Sequence, residues 1–307
     1  MNQSIQNKQT IFVSSACVQS TRIRESLATL AEAGFREIEL TGGTNYYVEL
    51  ERDLLELQDK YELTFQLHNY FPPPEKPFVL NLASTNEEIF RASIELCKKA
   101  IKISKMLGGK RYAVHAGFLI DFEPKYAGRK INFSELARRE IALMRMTQAW
   151  QELEEASNGD ILLYVENNVF SETNFNTFRD NNPFLMCDYD GFLELSERIR
   201  FNLLLDVAHL KVSANSLGLD YHRELRKLSA CSDYFHLSEN DGMHDQNRAI
   251  EPDDDILKRL QDLSRPGQTY VLEIYQNLEL VNASRLRVRK ALEMGLGRSG
   301  VAESGGG

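Results

Sequence analysis

Short runs of apolar and β-branched residues alternate along the chain with longer stretches in which apolar positions recur every three to four residues. The first pattern reads as buried strand and the second as amphipathic helix. Strands are expected over Thr10 to Ser14, Glu37 to Leu40, Leu63 to His68, Arg111 to His115, Ile161 to Glu166, Phe201 to Asp206, Asp233 to His236 and Gln268 to Glu273. Helices are expected over Thr21 to Ala33, Tyr47 to Tyr61, Thr85 to Leu107, Ser134 to Ala156, Asp190 to Ile199, Tyr221 to Ser229, Asp253 to Leu263 and Asn282 to Met294. Asn86 or Thr85 can cap the third helix and Ser134 the fourth. Asn167 to Cys187 reads as a loop of about twenty residues, a length that is usually functional inside a compact domain.

Eight alternating units with no linker between them predict a single (β/α)8 TIM barrel, an α/β fold spanning residues 10–294 with long loops on its C-terminal face. An open doubly wound sheet would need a glycine-rich phosphate turn after the first strand, where the chain has Ser14-Ser15-Ala16-Cys17. Residues 1–9 are expected to be a flexible N-terminus, and 295–307, ending in Ser-Gly-Gly-Gly, a disordered tail.

Composition narrows the function. With 42% hydrophobic and 26% charged residues, a 307-residue chain forms an ordinary core and needs no structural metal, so a metal here would serve chemistry. A net charge of -9 makes nucleic acid an unfavoured partner. Apolar runs fall far short of the roughly 20 residues of a membrane span, and the polar first residues lead one to expect neither a membrane anchor nor a secretory signal. The four cysteines form no CxxC pair, and a reducing cytoplasm is expected.

The candidate chemistry lies at the strand ends. His68, His115, Glu166, Asp206, His236 and Glu273 close the third to eighth strands, each behind an apolar run, and a barrel brings such positions to one mouth. A lone histidine or carboxylate at a strand end is usually a hydrogen-bonded core residue or a helix cap. Six together would be costly to bury without compensation, which a divalent cation supplies. Glu166, Asp206, His236 and Glu273 form an oxygen-rich set with one imidazole, which suits Mn2+, Mg2+ or Co2+, and also admits Zn2+.

The segments Val165-Glu166-Asn167-Asn168, Leu205-Asp206-Val207-Ala208-His209, His236-Leu237-Ser238-Glu239-Asn240-Asp241-Gly242 and Leu272-Glu273 together resemble the xylose isomerase-like barrel superfamily. That superfamily includes ketose 3-epimerases, hydroxypyruvate isomerase, inosose dehydratase and endonuclease IV. The resemblance implies a sugar isomerase or epimerase with one metal, Mn2+ first, held by Glu166, Asp206, His236 and Glu273. The two glutamates would exchange a proton alpha to a carbonyl of a sugar or polyol substrate. His209 joins them as a catalytic candidate, and His68, His115, Glu172, Asn167, Asn240, Asp245 and Arg248 are substrate-binding candidates. The arginine that the epimerases would carry six positions after the metal histidine is Gly242 here. Pairing of two barrels through their mouth loops is also implied.

Endonuclease IV-like enzymes hold three metals for phosphodiester hydrolysis, and His68, His115 and His209 fit their extra positions. Their Asp-x-His pair reads Asp245-Gln246-Asn247 here, with His244 one residue too early, which favours the sugar reading. A lyase of the inosose dehydratase type, or a barrel that binds a ligand without turnover, are the remaining alternatives. The loop Asn69 to Pro74 could wall the pocket, and Lys125, Arg129, Lys130 and Arg248 could meet an anionic group, although solvated loop charge is the plainer reading for these four.

Overall fold

The alternation of side chains along each strand builds two concentric layers. Ile11, Val13, Tyr112, Val114, Leu163, Val165, Leu203, Leu205, Tyr270 and Leu272 pack outward under the helices in one continuous core. The residues between them, Phe12, Ala113, Tyr164, Leu204, Tyr234 and Val271, meet on the barrel axis as a separate cluster. Strict alternation then aims His115, Glu166, Asp206, His236 and Glu273, two positions further along, into the axis at the C-terminal mouth.

The structure is a computed structural model and describes residues 9–179 and 181–303. Its strands are β1 (Thr10–Ser14), β2 (Glu37–Leu40), β3 (Thr64–His68), β4 (Arg111–His115), β5 (Leu162–Glu166), β6 (Asn202–Asp206), β7 (Ser232–Leu237) and β8 (Thr269–Leu272). They are all parallel and pair in chain order, and β8 closes on β1. The helices are α1 (Ile23–Glu32), α2 (Leu50–Tyr61), α3 (Glu87–Met106), α4 (Arg139–Ser157), α5 (Glu172–Phe178), α6 (Tyr189–Ser196), α7 (Val207–Leu217), α8 (Tyr221–Ser229), α9 (Asp255–Leu263) and α10 (Leu278–Glu303). None among the described residues is long and apolar enough to cross a membrane.

The fold is the expected TIM barrel, with four local departures. The segment read as one loop holds α5, whose N-cap Ser171 accepts from Asn174 N. A further helix, α7, starts directly on the strand-end Asp206, whose carboxylate accepts from His209 N. Strand end and N-cap are thus the same residue, so no polar break announces this helix. Helix α4 begins at Arg139, not Ser134: residues 131–138 form no regular element, Ala137 N donates to Leu119 O, and Arg138 is extended. Finally, α10 runs to Glu303 through the region expected to be disordered. Gly295 does not stop it: a Cβ there would lie 2.5 Å from Gln261 O, so this glycine permits the close approach of α10 to α9. Most of the flexible N-terminus expected over 1–9, and residues 304–307, lie outside the described residues.

Candidate metal centre and active site

Glu166, at the end of β5, is fully buried and touches four imidazoles. Its Oε2 lies 2.6 Å from His68 Nε2 and 3.3 Å from His115 Nδ1. Its Oε1 lies 3.4 Å from His236 Nδ1 and 3.5 Å from His209 Nδ1. Asp206 uses Oδ1 to cap α7 and turns Oδ2 toward the same space, 4.0 Å from His236 Nδ1. Glu273 Oε2 approaches that nitrogen to 3.5 Å.

Four of these atoms are buried with no hydrogen-bond partner: His115 Nδ1 and, facing one another, Glu166 Oε1, Asp206 Oδ2 and His236 Nδ1. An unsatisfied buried polar atom costs about 1–3 kcal/mol, more when charged, so three facing one another mark a space meant for a ligand. Ligand atoms of Glu166, Asp206 and His236 lie within 4.8 Å of one another, as do those of Glu39, His68, His236 and Glu273, and those of His68, His115 and Glu166. Of these, Glu166, Asp206, His236 and Glu273 offer three carboxylates and one imidazole, which fits a hard or borderline divalent cation.

Glu39 is a residue that the strand-end reading misses. It is fully buried, and its Oε1 sits 2.8 Å from His236 Nε2, while Gln66 Nε2 donates to Oε2 at 3.0 Å and to the Tyr234 hydroxyl at 2.8 Å. Glu39 Oε1 faces the far nitrogen as an ion pair and not as a hydrogen bond, while Nδ1 faces the centre; a carboxylate beside the far nitrogen is the usual support of a metal-bound histidine. The sequence held a signal for it: Ile38 and Leu40 belong to the outer core, so Glu39 between them must point inward.

The charges are mutually dependent. Burial opposes ionisation of Glu166, yet His115, His68 and His236 hold it well below the usual carboxylate range. Burial likewise opposes a charged His236, but Glu39, Glu273 and Glu166 hold it well above the usual imidazole range. Burial pushes Asp206 up to about 7 and His115 down to about 4.

The remaining candidates divide. His209, one turn into α7, joins the centre, and its Nε2 lies 3.4 Å from Asp245 Oδ2. Asn167 and Asn240 are spent on the scaffold: Asn167 exchanges two hydrogen bonds with the Asp206 backbone, and Asn240 ties Ala208 O to Gly242 N. Glu172 is exposed at the start of α5, and its neighbours Ser171 and Thr173 face the mouth instead. Arg248 is exposed on a backbone bridge to Glu239. Asn247 is buried and accepts from Ser238 Oγ, and His244 pairs with Asp241, so neither joins the carboxylates. Gly242 has φ +78, and a Cβ would meet Asn215 Nδ2 at 2.4 Å, so the loop excludes an arginine at this position.

Two cavities open at the mouth, and Tyr70 lines both. One, of about 680 Å3, lies over the β1 and β2 loops and is lined by hydroxyls and glycine backbone, including Ser15, Thr41 and Gly42-Gly43. The other, of about 280 Å3, descends between the β4 and β5 loops to His115 and His209. Phe71, the second aromatic residue of the proline-rich loop, is instead fully buried in the core.

A family model described as "Xylose isomerase-like TIM barrel" matches residues 27–278. An uncharacterized protein of Methanocaldococcus jannaschii is 23% identical over 270 residues, covering 85% of this chain and 82% of its own length. Among solved structures, a D-tagatose 3-epimerase-like protein superposes with a TM-score of 0.71 at 20% identity, covering 95% of this chain and 100% of that one. An L-ribulose 3-epimerase gives 0.69 at 16% identity, covering 98% and 100%. At such identities the structural likeness establishes the fold.

Proposed function

The chain belongs to the xylose isomerase-like TIM-barrel family, and on that premise we propose that it is a divalent-metal-dependent isomerase or epimerase of a sugar or sugar-derived hydroxy ketone. The observation that carries this reading is the convergence of the unpartnered Glu166 Oε1, Asp206 Oδ2 and His236 Nδ1 in a space also faced by Glu273. Glu166, Asp206, His236 and Glu273 would hold the cation. When bound, it polarises a carbonyl and the neighbouring hydroxyl and so acidifies the proton on the carbon between them. Mn2+ suits the set best, with Mg2+, Co2+ or Zn2+ compatible.

Glu166 and Glu273 come from strands three places apart in the ring, so they approach a substrate from different sides. One glutamate, as carboxylate, would remove the proton alpha to the carbonyl. The other, entering the step as the carboxylic acid, would return its own proton on the opposite face and so invert that carbon, the pair ending with the two roles exchanged and reset by proton exchange with solvent; return of the abstracted proton to the adjacent carbon would give the isomer. His68, His115, His209 and Asp245 would orient hydroxyl groups. The same abstraction leads to dehydration when the substrate has a leaving group beta to the carbonyl.

One observation favours a second reading. The cluster of His68, His115 and Glu166 could take a further ion, as phosphodiester hydrolysis on abasic DNA would require. Asn247 and His244 provide no third site, and a count of bound ions separates the two: near one per chain for the sugar reaction, three for the nuclease.

The test is incubation of the metal-loaded protein with a panel of ketoses and inososes in D2O. Carbon-bound deuterium in at least one sugar, with product formation, is the expected result. Its absence across the panel would overturn proton-transfer chemistry.

A further inference from the structure

The smaller mouth cavity is more than an entrance. Its floor is the buried His209 and the partly buried His115, and its sides are aromatic, from Tyr70, Phe118, Phe122 and Phe184. Its outer wall is cationic, because Arg129 and Lys130 line it from the loop after β4. No carboxylate among the described residues pairs with either side chain. By contrast Lys125, on the same loop, pairs with Glu123, and His244 pairs with Asp241. Asp245, the one carboxylate of the lining, is engaged with His209 at the metal end.

The cationic segment is also held in place. Asn174 is buried in α5, and its side-chain amide accepts from Ile131 N at 2.9 Å while donating to Arg129 O at 3.2 Å. This clamps the backbone on both sides of Lys130. Arg129 N donates to Tyr126 O at 3.0 Å, which closes the turn before it. Both functions of the buried Asn174 amide are thus satisfied by the backbone that flanks Lys130, which fixes the path of the basic turn. In a chain of net charge -9, two unpaired cations fixed over an aromatic slot select a particular ligand.

We propose that this cavity binds the distal end of the substrate, and that this end carries a phosphate monoester: the substrate is a phosphorylated ketose whose sugar carbons lie along the aromatic walls and whose phosphate meets Arg129 and Lys130. Guanidinium and ammonium donors are the usual partners of a phosphate dianion, and neither of these two is paired with Glu166, Asp206 or Glu273. This rests on the sugar reading of the metal centre and names its substrate class.

The test compares each ketose with its own phosphate, D-fructose with D-fructose 6-phosphate and D-xylulose with D-xylulose 5-phosphate, on the metal-loaded protein. Kd comes from calorimetry and exchange from D2O incorporation in the same samples. The phosphate ester of at least one pair should bind tenfold or more tighter than the free sugar, and Arg129→Ala/Lys130→Ala should erase that preference. The conservative exchange Arg129→Lys/Lys130→Arg should keep most of it, which separates lost charge from a disturbed loop. Equal binding of ester and free sugar, or a preference that survives the double alanine variant, would overturn the inference. Deuterium exchange of free ketoses without a phosphate preference would sink only this inference. A phosphate preference without exchange of any ketose would support the annex and sink the proton-transfer reading.

Discussion

The two ends of the barrel both carry ionisable side chains close to the axis, and they treat them in opposite ways. At the N-terminal end, Arg111 Nε donates to the Tyr164 hydroxyl at 3.1 Å, and that hydroxyl donates to Asp233 Oδ1 at 3.0 Å. Arg111 also faces Asp233 directly at 3.7 Å, and Arg111 and Asp233 are 22% and 54% exposed. These charges are satisfied by one another and by water. At the C-terminal end, Glu166, Asp206 and His236 are 0–1% exposed and retain unpartnered atoms. A closed polar network plugs the barrel, whereas an open one is poised for something the chain does not itself supply.

The difference can be broken most forcefully at Glu166. Glu166→Gln removes both a candidate ligand and a proton carrier, and deuterium exchange should fall by about 10³-fold or more. Asp206→Asn should act through the metal, and a thermal melt shows how. Mn2+ at a hundredfold excess over its Kd should stabilise the wild type by about 2.7 kcal/mol and shift the midpoint upward by several degrees, with little or no shift in Asp206→Asn. Glu39→Gln tests positioning: Mn2+ affinity should fall by about 10–100-fold although Glu39 is outside the expected ligand set. The smallest effect belongs to the lower end. Tyr164→Phe opens the Arg111–Asp233 network and should cost about 1 kcal/mol in a denaturant titration, with exchange within twofold of wild type. Loss of exchange in Tyr164→Phe, or full exchange in Glu166→Gln, would collapse the contrast between the two ends.

The same contrast explains what could be read from the sequence. Strand parity and apolar runs made the barrel and its strand-end histidines and carboxylates legible, because an inward position must follow from the outward neighbours that bury it. Glu39 escaped because it sits one position before the end of a short strand, with no apolar run closing on it. Helix α7 escaped because apolar residues, among them Val207, Leu210, Val212 and Ala214, cover much of its surface and leave no clean amphipathic period, with Asp206 serving as both strand end and cap. Asn167 and Asn240 are substrate-binding candidates in the sequence because they lie in the segments that follow Glu166 and His236, yet their amides pair with backbone that only the folded loops bring near. Asn174, the clamp on the basic turn, had no local signal, since its partners Arg129 and Ile131 lie more than forty positions away.

We assign the unsatisfied atoms at the mouth to a cation site. A Mn2+ titration followed by electron paramagnetic resonance tests it most directly, on the wild type, Glu166→Gln, Asp206→Asn and Tyr164→Phe. Saturable binding of one ion per chain to the wild type and to Tyr164→Phe, with strong weakening in the two mouth variants, is the predicted result. No saturable binding by the wild type, or equal binding by all four proteins, would contradict the account.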